Sequence, residues 1–172
     1  SVNHGFRDHQ GYEKIGDATS TSCNVDVVCD AESLPGIGET IDVYREQIRS
    51  VGAYTLGGVD TCSGALVNNT AQDGTPYFLT ADHCGVTPNN ASSMVVYWNY
   101  ECETCRPPGS AESGGPGEGS LSQFNSGAIF RASSELSDFA LVELDDPIAP
   151  DVDAFFAGWD KSGVNATSSV SI

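Results

Sequence analysis

YFLTADHCG, residues 77–85, decides how the chain is read. An apolar, strand-length run from Tyr77 to Leu79 passes through small and polar residues to His83, and Cys84 and Gly85 follow. The chain has only three histidines. A catalytic imidazole must be held rigidly, with one ring nitrogen toward the reaction and the other toward an orienting carboxylate. A strand end followed by a cross-linked cysteine supplies that rigidity. Cys62 and Cys84 each flank a strand, since CSGALV begins one and YFLTADHC ends the next. Their pairing would pin a hairpin beside His83, and closing a loop of that size contributes about 3 kcal/mol in the chain-entropy model. The plain alternative for His83 is a structural histidine in such a hairpin.

The texture around this stretch is that of short strands. VDVV at 25–28, SVGAYTL at 50–56, GALVNN at 64–69, YFLTA at 77–81, MVVYWNY at 94–100, GAIFRA at 127–132 and FALVEL at 139–144 are each strand-length and rich in Val, Ile, Tyr and Phe. Turn-forming segments such as NNTAQDGTP and GVTPNN separate them. Regular short strands with such turns predict an all-β fold, a small antiparallel barrel or sandwich. One helix-like stretch, TIDVYREQIRS at 40–50, places Ile41, Tyr44 and Ile48 at helical spacing, or else leads irregularly into the first strand. The Gly-, Pro- and Ser-rich run 106–120 reads as a long loop, disordered or functional.

The chain divides into three segments: an arm or residual pro-segment at 1–22, in which Lys14-Ile15-Gly16 reads as a processing point or an ordinary loop; a barrel at 23–148; and a proline-bearing linker at 149–172 whose AFFAGWD starts a new strand. A single strand cannot make a domain, so it packs back on the barrel or opens a second one.

The formal net charge is −17. Such a charge repels nucleic-acid phosphates and excludes them as a partner. It reads first as a solvated acidic surface like that of a salt-adapted protein. No apolar run is long enough to span a membrane. No signal peptide heads the chain, so an exported protein would already have lost it.

The six cysteines stand at 23, 29, 62, 84, 102 and 105. Cys102 and Cys105 form a CxxC, a redox or zinc signature, but neither a second CxxC nor a histidine pair at metal spacing accompanies it, and the surrounding βαβ pattern of redox proteins is missing. Disulfides explain the set better and imply an oxidising setting, extracellular or periplasmic. No metal or cofactor is expected. The sequons at Asn68, Asn90 and Asn165 mark surface loops.

The orienting acid should be short and lie on a neighbouring element. Asp138, in SELSDFALVEL, stands directly before a wholly apolar strand start, where an unpaired carboxylate would be costly. Its plain alternative is a strand or turn cap. Taken with His83 it makes a stronger pair.

YFLTADHC resembles the histidine box of trypsin-like serine proteases, and SDFALVELD resembles their aspartate box. CSGALVNN is similar to the strand pair that precedes the histidine, and AFFAGWD to the first strand of the second barrel. The finer likeness is to bacterial secreted lysyl endopeptidases, carried by SCNVDVVC at 22–29, VGAY at 51–54, CSGALVNNT at 62–70, VVYWNY at 95–100 and TCR at 104–106. It covers about residues 22–165 and several ordered motifs. The resemblance implies a chymotrypsin-like, six-stranded antiparallel Greek-key barrel, the N-terminal barrel of such a protease, with the first strand of a second barrel at its C-terminal end. It implies His83 as general base and then acid, with Asp138 fixing its tautomer. It also implies Cys62–Cys84 and Cys29–Cys105 bridges, with Cys23 paired to a second-barrel cysteine and Cys102 without a counterpart; in the absence of a second barrel, Cys23 pairs with Cys102 or stays free. Peptide bonds after lysine, or arginine, are the implied substrate.

The sequence departs from that pattern in having no G-D-S-G-G or G-x-S-x-G nucleophile box. The nucleophilic serine is therefore expected on a C-terminal half carried by a second chain; a truncated form and a non-catalytic β-barrel binding module are the alternatives. Asp82, where a small residue is commoner, is expected to face away from His83 by strand alternation.

Overall fold

The computed structural model describes residues 25–58, 60–113, 119–164 and 167. The arm at 1–22, Cys23 and the sequon at Asn165 lie outside them. The architecture is all-β: one curled, antiparallel, seven-stranded sheet with a few short helices. Its strands are β1 (Val51–Leu56), β2 (Asp60–Val67), β3 (Tyr77–Thr80), β4 (Met94–Trp98), β5 (Phe124–Ser126), β6 (Ala128–Ser134) and β7 (Phe139–Leu144). They lie in the order β5-β4-β1-β2-β3-β7-β6. No helix among the described residues is long and apolar enough to cross a membrane.

The predicted strands build the core by burying alternate residues. Met94, Val96 and Trp98 point inward from β4, and Ala140, Val142 and Leu144 from β7. They meet Tyr54, Leu66 and Phe78. Phe78 packs edge-on against both Tyr54 and Trp98, with ring centroids 5.8 and 5.9 Å away. The indole of Trp98 donates to the buried Asn125 at 2.8 Å, so its one polar group is satisfied inside the apolar cluster.

The seventh strand is a finding. GAIFRA alone predicted one strand here; the structure has β5 and β6 separated only by Gly127. Gly127 has φ +90°, and a side chain there would approach an Asp145 carboxylate oxygen to 2.4 Å. Its amide donates to the Met94 carbonyl at the start of β4, the neighbour of β5, and its carbonyl accepts from Asp145 just after β7, the neighbour of β6. The sheet's two edge strands are thus consecutive in the chain and meet at this glycine, which bends what would otherwise be a single strand.

Close approach explains another glycine. Gly64 of β2 lies over β3, where an added Cβ would stand 2.5 Å from both the Leu79 carbonyl oxygen and the Phe78 ring. Gly64→Ala is expected to destabilise the fold by about 1–3 kcal/mol through this overpacking. An unchanged urea midpoint would contradict it.

Other segments differ from expectation. The helical reading of 40–50 is realised as α1 (Gly38–Val43) and α2 (Arg45–Ile48), interrupted at Tyr44. VDVV at 25–28 is not a strand but part of a turn-rich segment. Side chains take over the role of a neighbouring strand there: Arg45 donates to the carbonyls of Val27 and Cys29, and Arg106 pairs with Asp26 at 2.9 Å. Residues 106–113 of the long loop are irregular, and 114–118 lie outside the described residues. AFFAGWD forms no strand of its own. It runs beside the end of β2 with a single parallel bridge, Val67 to Ala157, and the Trp159 indole donates to the Asn68 carbonyl at 2.9 Å.

Candidate active site

Register brings the two candidate residues together. β3 and β7 are antiparallel and their pairing ends at Thr80 and Ala140. The residues after Thr80 must therefore lie beside those before Ala140. His83 comes three residues after one and Asp138 two residues before the other. After Thr80 the chain leaves the sheet and closes a 3-10 turn over Asp82–Cys84, ended by Gly85 at φ +78°. Strand alternation does not apply to Asp82, because residues 82–84 are not extended. Asp138 sits in the turn before β7 with φ +48°, a left-handed conformation that aspartate tolerates better than most residues.

The imidazole Nδ1 lies 2.8 Å from one Asp138 carboxylate oxygen and 3.0 Å from the other. The backbone amide of His83 donates to the same carboxylate at 3.0 Å. Asp138 thus grips His83 at ring and backbone together. The amide contact had no signal in the sequence, because it depends on the 3-10 turn. With Nδ1 bonded to a carboxylate, the neutral ring carries its proton there, and Nε2 keeps a lone pair. Nε2 has no hydrogen-bond partner among the described residues, and the His83 side chain is 61% exposed. The arrangement can accept a proton from the solvent side and stabilise the resulting cation through Asp138.

Hydrogen bonds from the amide and ring of His83 hold the Asp138 carboxyl below its ordinary value of 3.8. A depressed carboxyl pKa stabilises the folded pairing above the ordinary value, and that contribution is lost as pH falls through the lowered one. The carbon-13 shift of the Asp138 carboxyl should therefore titrate below 3.8, and His83→Ala should raise the midpoint. A midpoint at or above the ordinary value in the parent protein would contradict the pairing.

Two disulfides are present among the described residues, and one adjoins the pair. Cys62 of β2 is bonded to Cys84, next to His83, with Cα atoms 6.3 Å apart. Cys29 is bonded to Cys105, joining segments 76 positions apart in sequence. Cys102 is buried and accepts a hydrogen bond from Arg106; its CxxC partner, Cys105, is committed to Cys29. The sulfurs of Cys62 and Cys84 lie within 4.8 Å of a His83 ring nitrogen. Being bonded to each other, they offer no thiolate to a metal.

No serine hydroxyl hydrogen-bonds His83 among the described residues. Ser120 and Ser122, in the stretch GEGSLSQFNSGA, bond each other at 2.8 Å. Sequence reading also missed a buried hydroxyl chain, Tyr54 to Thr80 to the Ser63 carbonyl, beneath the end of β3. Its one signal is a threonine at a core-facing position of β3.

The model of one protein family, described as lysyl endopeptidase, C-terminal domain, matches residues 17–172.

Proposed function

The chain belongs to the lysyl endopeptidase C-terminal domain family, and from that premise we propose that it forms the histidine- and aspartate-bearing half of a secreted serine endopeptidase. The observation that carries the proposal is the His83–Asp138 pair, with both carboxylate oxygens within 3.0 Å of Nδ1 and Nε2 open to solvent. In this reading the curled sheet is a chymotrypsin-like Greek-key barrel, in which β5 and β6 count as one strand bent at Gly127. The meeting of the two sheet edges at that residue supports it. The two disulfides support an oxidising, extracellular setting.

The chemistry rests on proton positions. A serine hydroxyl from a second polypeptide approaches Nε2 and attacks the peptide carbonyl as Nε2 takes its proton. Asp138 keeps the other proton on Nδ1 and stabilises the imidazolium. Nε2 then delivers its proton to the leaving amine, and water hydrolyses the acyl-enzyme by the same route. Lysine, or arginine, precedes the scissile bond. Leu136, wholly exposed, stands two residues before Asp138, on the side where that second polypeptide would dock.

The test incubates the chain alone, and then with its C-terminal counterpart, with a fluorophosphonate and a lysyl ester. Labelling and hydrolysis only in the pair, both abolished by His83→Ala, are expected. The absence of both from the pair would overturn the proposal in favour of a non-catalytic binding module.

A further inference from the structure

Thr80 is a polar side chain at a core-facing position. It shares a face of β3 with Phe78, which is fully buried, and is itself only 7% exposed. Valine would match its shape. The Thr80 hydroxyl instead donates to the Ser63 carbonyl at 2.7 Å. Its single proton being used there, it accepts from the Tyr54 hydroxyl at 3.0 Å. Burial pushes the Tyr54 phenol up to about 12, so it remains a protonated donor.

These hydroxyls lie where the ladder stops. β2 and β3 pair as far as Ala65 and Leu79, whereas β3 and β7 pair one residue further, at Thr80 and Ala140. Beyond that step the Thr80 side chain reaches Ser63, the residue next to disulfide-bonded Cys62. The chain then departs from the sheet into the turn that carries His83. We propose that Thr80 is a positioning residue for His83. Its hydroxyl, held by Tyr54, continues the grip of β2 on β3 by one residue and fixes the point from which His83 is presented to Asp138. The disulfide holds the far side of the same turn through Cys84. Thr80 touches no reacting group and acts only through the placement of His83.

The assignment rests on reading His83 and Asp138 as a working pair, but its test needs no catalysis. Isotope-labelled Thr80→Val, Thr80→Ser and Tyr54→Phe chains are compared by amide hydrogen exchange and by the carbon-13 titration of Asp138. Thr80→Val is expected to speed exchange of the His83 amide about tenfold relative to the Leu66 and Val96 amides of the core. It should also move the Asp138 titration up toward the ordinary carboxylate value. Thr80→Ser should restore both, and Tyr54→Phe should shift both in the direction of Thr80→Val, by less. Unchanged readouts in Thr80→Val, or parallel acceleration of the core amides without rescue by serine, would overturn the assignment. Should Thr80→Val fail to fold, Tyr54→Phe decides, and readouts equal to the parent's would overturn it. Inactivity of the parent with its counterpart, alongside the expected exchange pattern, would refute the protease reading and leave Thr80's role standing.

Discussion

Asp138→Asn is expected to lower kcat of the assembled protease by about 10⁴-fold while leaving the fold intact. Asparagine matches aspartate in size and tolerates the left-handed backbone at this position, where φ is +48°. Its side-chain oxygen can still accept from the His83 amide. Its NH₂ group, however, would face Nδ1 and donate to it. The neutral ring would then carry its proton on Nε2, where a serine proton has to be received. The site would keep its shape and lose its base. Kinetics on a lysyl ester, with thermal unfolding of the same sample, separate the two effects. A loss below about tenfold would mean that Asp138 does not set the tautomer.

The Cys29–Cys105 bridge carries the largest expected effect on stability. Its 76-residue separation gives a loop-closure contribution of about 4.5 kcal/mol, against about 3.4 kcal/mol for the 22-residue separation of Cys62 and Cys84. Cys29 is completely buried, and the segment around it has no strand partner. Arg45 and Arg106 hold its carbonyls and Asp26, and the disulfide keeps those groups in reach. Replacing both cysteines by alanine should lower the melting temperature by roughly 10–15 °C. Removing Cys62 and Cys84 should cost less stability yet disturb the site more, because Cys84 adjoins His83. Calorimetry of the two double variants, with the Asp138 titration as a readout of the site, tests this division. Equal disturbance of Asp138 by both variants would contradict it.

Much of this architecture was legible because short runs rich in Val, Ile, Tyr and Phe between turn residues are a local signal. MVVYW and FALVEL both form strands, and each buries alternate residues. The candidate pair was legible for a different reason: His83 follows an apolar strand and Asp138 precedes one, and antiparallel pairing of those two strands brings such positions together. The register itself was not legible, since it is decided by long-range packing. VDVV failed as a strand because apolar composition does not supply a neighbouring strand, and two arginines took its polar groups instead. AFFAGWD was over-read likewise; it meets β2 at a single bridge. FNS was too short to register as a strand, and the bend at Gly127 results from closure of the sheet on itself. Thr80 was passed over because threonine is at home in strands, and only the buried Tyr54 hydroxyl beside it shows that its own hydroxyl has a task.

The central claim is that Nε2 of His83 works at a reaction centre whose serine comes from the C-terminal half of the proposed protease. A lysyl chloromethyl ketone tests it most directly, since it alkylates an imidazole nitrogen only where a serine and a lysine-binding pocket first hold the reagent. Peptide mapping of the assembled protein should find one adduct, on His83. The isolated chain should carry none, and the Asp138→Asn assembly far less. An assembly left unmodified at His83, or a His83 that reacts equally without its counterpart, would contradict the account.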